Sequence, residues 1–215
     1  MSATVALIDY GSGNLRSAEK ALTRAAAELA RPPTVATTDD PDLIAKADAV
    51  VLPGVGAFSA CRRALMERVG VVEAIGTACI ERGAPFLGIC VGMQLMATRG
   101  LEFGETPGFD WIAGDVVRLA PSEARFKVPH VGWNGLDFDR GTPLFDGLPT
   151  GTDMYFTHSY ALQVRKAGEA SAWTDHGGRF AAAVARDNLA GVQFHPEKSQ
   201  SAGLRLLANF LAWRP

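Results

Sequence analysis

The feature that most constrains this chain is a recurring unit: a short, almost wholly apolar run, a break, and then a stretch at helical spacing. Thr4 to Asp9 is such a run. It stops at Gly11-Ser12-Gly13-Asn14, after which Leu15, Ala18, Leu22, Ala25 and Leu29 fall at steps of three and four on one helical face, with Asn14 placed to cap it. Thr34 to Thr37 reads as a strand, Pro41 to Lys46 as a short helix, and Ala49 to Leu52 as a buried strand running into Pro53-Gly54-Val55-Gly56. A helical stretch from Ser59 to Arg82, broken near Gly70, precedes another buried strand at Pro85 to Ile89. Strands apolar on both sides need cover on both faces, and helices between them supply right-handed crossovers. The expected architecture is a three-layer α/β domain with a mostly parallel central sheet flanked by helices.

After Gly100 the runs shorten and alternate. Asp115 to Leu119, Met154 to Thr157, Tyr160 to Val164, Phe180 to Ala185 and Gly191 to Phe194 read as antiparallel or mixed strands continuing the sheet. A last helix carries Leu204, Leu207 and Leu211. No repeat or linker divides the chain, and 215 residues suit one domain spanning 1–215.

Composition narrows the function. The 21 basic and 23 acidic side chains give a net charge of -2, no field for a nucleic-acid backbone. No apolar run approaches the length of a membrane span, and Asp9 interrupts the first one too early for a signal peptide, so the expectation is a cytoplasmic protein. Cys61, Cys79 and Cys90 are too few for a disulfide scaffold and lack metal-ligand spacing, so no metal site is expected.

The sharpest chemical signal is Gly88-Ile89-Cys90-Val91-Gly92, where a buried strand breaks into a helix at a cysteine with glycine two residues to either side. This is the pattern of a nucleophile elbow with Cys in place of Ser. A helix N-terminus there favours the thiolate. Cys61 and Cys79, inside helical stretches, read as buried and inert.

Of four histidines, His130, His158 and His176 have no carboxylate at useful spacing. His195 follows an apolar strand, and Glu197 lies two residues on, the same side of an extended chain, where a carboxylate orients an imidazole. Cys90, His195 and Glu197 can thus form a triad. Leu52 to Phe58, glycine-rich after a buried strand, is a candidate oxyanion loop: the N–H of Val91 is one donor, with a second from Val55 or Gly56 beyond Gly54. Gln94, one turn past Cys90, is placed to touch substrate. Gly11-Ser12-Gly13 is not a dinucleotide fingerprint, because Arg16 stands where its third glycine belongs.

With these motifs the chain resembles the class I glutamine amidotransferases and, within them, the glutaminase subunits of imidazole glycerol phosphate synthases of histidine biosynthesis. The resemblance runs through Ile8 to Leu15, Leu52 to Phe58, Gly88 to Gln94, Val128 to Asn134, Tyr155 to Tyr160 and Gln193 to Gln200. Val91 departs from it, leucine being commoner there. It implies Cys90 as nucleophile, His195 as acid and base, and Glu197 as the residue orienting His195, hydrolysing L-glutamine without a cofactor. It also implies a heterodimer with a cyclase subunit, a (β/α)8 barrel that receives the ammonia, with Asn14, Trp133, Tyr155 and Lys198 near that interface. The glutaminase of another amidotransferase, such as anthranilate synthase, and a cysteine-based redox sensor are the alternatives.

Overall fold

The computed structural model describes residues 3–138 and 142–215. The amino-terminal half alternates as β1 (Thr4–Ile8), α1 (Leu15–Ala26), β2 (Thr34–Thr38), α2 (Pro41–Lys46), β3 (Ala49–Gly54), α3 (Phe58–Met66), α4 (Val71–Gly76) and β4 (Phe86–Cys90). The remainder holds α5 (Val91–Gln94), β5 (Ala97–Gly100), β6 (Thr106–Pro107), β7 (Ile112–Arg118), β8 (His130–Gly135), β9 (Asp153–His158), β10 (Tyr160–Val164), β11 (Ala170–Asp175), β12 (Arg179–Arg186), β13 (Leu189–Val192) and α6 (Gln200–Ala212).

Seven strands form the main sheet in the order β11-β12-β13-β4-β3-β1-β2. The five from β13 to β2 are parallel, and β12 and β11 add an antiparallel edge. β3 and β4 are buried at every position, which is what their unbroken apolar runs require in a sheet covered on both faces. Helix α2 starts where Asp40 accepts from the N–H of Asp42 and Pro41 fills the first turn. The break expected near Gly70 is real: Gly70 has φ 80°, and a π-helical turn, Thr77–Glu81, follows α4.

Some expectations are corrected. Asn14 stands at the start of α1 but its side chain makes no capping hydrogen bond, and Leu29 lies beyond the helix end. On α6, Leu207 and Leu211 are buried, whereas Leu204 is only partly so. The segments at 115–119, 154–157 and 160–164 do not continue the main sheet. β7 and β10 pair in a separate sheet ordered β10-β7-β5-β6, and β8 and β9 form a two-stranded ribbon. Burial in β7 alternates residue by residue, so it has one face to bury, and a strand of that pattern has no place in a sheet covered on both sides. Among the described residues no helix is long and apolar enough to cross a membrane.

Candidate active site

Three adjacent parallel strands end together: β3 runs into the glycine-rich loop, β4 ends at Cys90, and β13 leads to His195. This is the carboxyl edge where open α/β sheets place their sites.

Cys90 has φ 53° and ψ -109°, a conformation an L-residue adopts only at a cost of about 1–3 kcal/mol. The neighbouring glycines explain how it is held. A Cβ on Gly88 would press on the backbone of Gly92 and Met93, one on Gly92 would strike the Leu52 carbonyl, and one on Gly54 would meet Gly92, Val91 and the Tyr10 hydroxyl. The elbow is therefore packed backbone to backbone against β3. The helix beyond it, α5, is a single turn, so its macrodipole is small.

His195 Nδ1 lies 2.8 Å from Glu197 Oε1, with both side chains almost wholly buried. A carboxylate only accepts, so Nδ1 holds the proton and Nε2, buried without a hydrogen-bonding partner among the described residues, is left to face chemistry. The expectation of an extended chain here is corrected: residues 196–198 form a 3-10 turn, which brings the carboxylate round to the ring. The Tyr155 carbonyl accepts from the His195 N–H at 2.8 Å, and Ser199 Oγ donates to the His195 carbonyl at 2.7 Å, fixing the turn. Burial works against a charged ring, yet the Cys90 sulfur and the Glu197 carboxylate outweigh it and raise His195 to about 9.

A cavity of about 420 Å³ opens over these groups and is lined by Val55, Gly56, Cys90, Val91, Gln94 and His195 among others. Gly54 does not line it; its place is the close contact with the elbow. The loop is pinned from below. Tyr10 donates to the Pro53 carbonyl at 2.7 Å, and Ser12 and Cys61 donate to the Val55 carbonyl at 2.9 and 3.2 Å. With that carbonyl turned toward Ser12, the N–H of Gly56 points the opposite way across the planar peptide. Cys61 and Cys79 are both buried, and burial pushes both thiols up, but Cys61 also anchors this loop. Gln94 lines the cavity while Nε2 donates to the Tyr160 carbonyl at 2.9 Å and to Gln193 Oε1 at 3.1 Å.

Several residues were not singled out by sequence. Glu102 lines the cavity and accepts from the Phe58 N–H at 2.8 Å, but it stands twelve positions beyond Cys90 with no motif around it. His158 also lines the cavity and pairs with His130 at 3.2 Å, and His130 stacks on His176 at 4.0 Å. Because the Tyr160 carbonyl accepts from His158 Nδ1, His158 Nε2 must accept from His130. Gln193, fully buried, donates to the Cys90 sulfur at 3.6 Å; its spacing of two from His195 was the available signal. Trp133 and Tyr155 face each other across β8 and β9 with ring centroids 5.8 Å apart, and the Lys198 ammonium sits 5.8 Å from the Tyr155 ring. Trp133 and Val131 are exposed on this ribbon. Asn14 is exposed and lies by a small crevice shared with His195 and Glu197.

The glutamine amidotransferase class-I family model matches residues 6–213. The chain belongs to the class I glutamine amidotransferases. It is 58% identical over 212 residues to the imidazole glycerol phosphate synthase subunit HisH of Caulobacter vibrioides, covering 99% of each chain. It is 56% identical to the HisH subunit of Cereibacter sphaeroides, covering 97% of this chain and 98% of that one. The structure of PurLQS from Thermotoga maritima shares the amidotransferase fold, with a TM-score of 0.70 at 19% identity over 99% of both chains.

Proposed function

We propose that the chain is the glutaminase subunit of an imidazole glycerol phosphate synthase, acting as one domain over residues 1–215 and hydrolysing L-glutamine to glutamate and ammonia. What carries this reading is the convergence of Cys90 and His195 at one cavity, with Glu197 hydrogen-bonded to His195, in a chain more than half identical to subunits bearing that enzyme's name.

The Cys90 thiolate attacks the substrate carboxamide, forming the C–S bond and moving the carbonyl electrons onto oxygen. The N–H groups of Val91 and of the Val55–Gly56 loop hold that oxyanion; such donors contribute about 3 kcal/mol each where they have been removed. Imidazolium at His195, kept charged by Glu197, gives its proton to the leaving nitrogen, and the C–N bond breaks to release ammonia and leave a glutamyl thioester. Neutral His195 then takes a proton from water, whose oxygen attacks the thioester; glutamate leaves and the thiolate and imidazolium return. Glu102 offers the α-ammonium of the substrate a carboxylate, and the free Oε1 of Gln94 offers it an acceptor.

Ammonia released to water would be protonated and lost as a nucleophile, so the reaction serves a bound acceptor enzyme. The exposed Trp133, the Tyr155 and Lys198 pair beside it, and Asn14 supply the surface for a (β/α)8 cyclase. The test is co-expression with that cyclase and measurement of glutamine turnover with and without the cyclase's substrate. Turnover should be low in the free chain and rise in the complex, and Cys90→Ala should lose it while ammonia-driven synthesis continues. Full turnover without a partner, or hydrolysis surviving in Cys90→Ala, refutes the reading.

A further inference from the structure

The mechanism leaves one buried polar side chain beside the nucleophile without a role. Gln193 is fully excluded from solvent at the end of β13, and its Nε2 lies 3.6 Å from Cys90 Sγ. Its orientation follows from its neighbours. The Tyr160 carbonyl can only accept, so the Gln94 end facing it is the amide nitrogen. The second hydrogen of that nitrogen goes to Gln193, which must present Oε1 there and Nε2 to the sulfur. The amides thus form a directed chain in which Gln94 donates to Gln193 and Gln193 donates to Cys90. Gln94 Oε1 is the end left to the cavity.

We propose that Gln193 is a positioning residue that holds the Cys90 sulfur by its N–H and links it to Gln94, so that an amino acid seated on Gln94 is felt at the nucleophile. Two consequences follow from the bonding. A donor aimed at sulfur favours thiolate over thiol, adding to what the imidazolium provides. A cation contacting Gln94 Oε1 polarises that amide, makes its N–H a stronger donor to Gln193, and passes the effect on to the N–H that faces the sulfur. Occupancy and nucleophile activation are thereby joined by two side chains and no backbone movement. The inference rests on Cys90 being the nucleophile.

The experiment uses the full chain with Gln193→Met, which keeps the volume and removes the donor, and Gln193→Glu, which keeps the shape and sets a carboxylate against the sulfur. Alkylation of Cys90 by iodoacetamide is followed by peptide mass spectrometry at about pH 7 and about pH 10. Glutamine hydrolysis is measured with the cyclase present. In Gln193→Met alkylation should slow about tenfold at the lower pH, the low end for a bond to a charged acceptor, and stay within about twofold of the parent at the higher. Gln193→Glu should be slower still at the lower pH. Glutamine kcat should fall by a similar factor with KM within about threefold. Equal alkylation of parent and both variants at the lower pH, or a loss of the same size at both pH values, overturns the inference even if kcat falls. A parent whose Cys90 resists alkylation at both pH values, with hydrolysis intact in Cys90→Ala, would instead remove the nucleophile assignment beneath it.

Discussion

Glu197→Gln removes one charge and little else. The carboxamide has the carboxylate's shape and its oxygen can still accept from His195 Nδ1, now 2.8 Å from Oε1, but the imidazolium loses its buried counter-charge. Burial opposes the ring's charge, and the Cys90 sulfur and Glu197 together lift it from 6.5 to about 9. An opposite charge within hydrogen-bonding distance moves a partner's titration by roughly 1–3 pH units, so losing it should lower the ring by about 1.5, or about 2 kcal/mol. In the proposed mechanism the proton on His195 is what the leaving ammonia needs. At about pH 8.5 roughly three-quarters of parent rings carry it but only about one-tenth of variant rings would, an eightfold drop; at about pH 6 the two differ by less than about twofold. The assay is glutamine turnover in the cyclase complex from about pH 6 to about pH 9.5, where the alkaline limb should move down by about 1.5 units. A loss of equal size at every pH, or an unmoved limb, would refute the electrostatic role given to Glu197. Stability supplies a second reading. A ring whose folded value lies above its unfolded one contributes stability that is complete below about pH 6.5 and lost as pH rises through about 9. The variant's deficit in thermal denaturation should therefore be greatest near pH 6, by about 2 kcal/mol, and shrink by about pH 10.

Gly92→Ala would set a methyl group on the Leu52 carbonyl, so urea denaturation should show a loss of about 3 kcal/mol or more; parent-like stability would mean that the elbow and β3 are not in close backbone contact. Trp133→Ala changes an exposed ring, so folding stability should stay within about 0.5 kcal/mol while cyclase affinity, read by titration calorimetry, weakens about thirtyfold. An unchanged Kd would take the β8–β9 ribbon out of the interface.

The sequence was most readable where one local cause fixes one local structure. β3 and β4 are apolar throughout and are buried throughout. The glycines at 88 and 92 have to be glycine because backbone passes where a Cβ would stand. The second half was harder to read because its strands are amphipathic. Alternation says that a strand has one buried face, but not which sheet buries it, and so β7, β9 and β10 were assigned to a sheet they do not join. Asn14 has the composition of a cap without the hydrogen bond, since a cap also needs the side chain's direction, which depends on contacts outside the helix.

Three buried histidines show where this limit falls within the site. Burial alone disfavours the imidazolium, and it lowers His130 to about 3 and His158 to about 4, with neighbouring rings adding to the effect. His195 is as deeply buried yet moves the other way, because it alone of the three has a carboxylate and a sulfur as partners. The carboxylate is two residues away in sequence and could be read there; the sulfur is 105 positions distant and could be placed only through the elbow and the assumption that strand ends meet. Glu102 has no local partner in sequence, and Gln193 has only its spacing of two from His195, which does not show what its side chain bonds. Both reach the cavity region through β-strand register and loop path, so their chemistry became visible only when the strands were set side by side. The division is physical: a group whose protonation is set by a neighbour in sequence can be assigned early, whereas one whose role depends on a hydrogen bond across the sheet cannot. The neutral pair His130 and His158 then has a consequence for catalysis. They add no positive charge beside the cavity near neutral pH, which agrees with the proposal that His195 gives the proton to the departing ammonia.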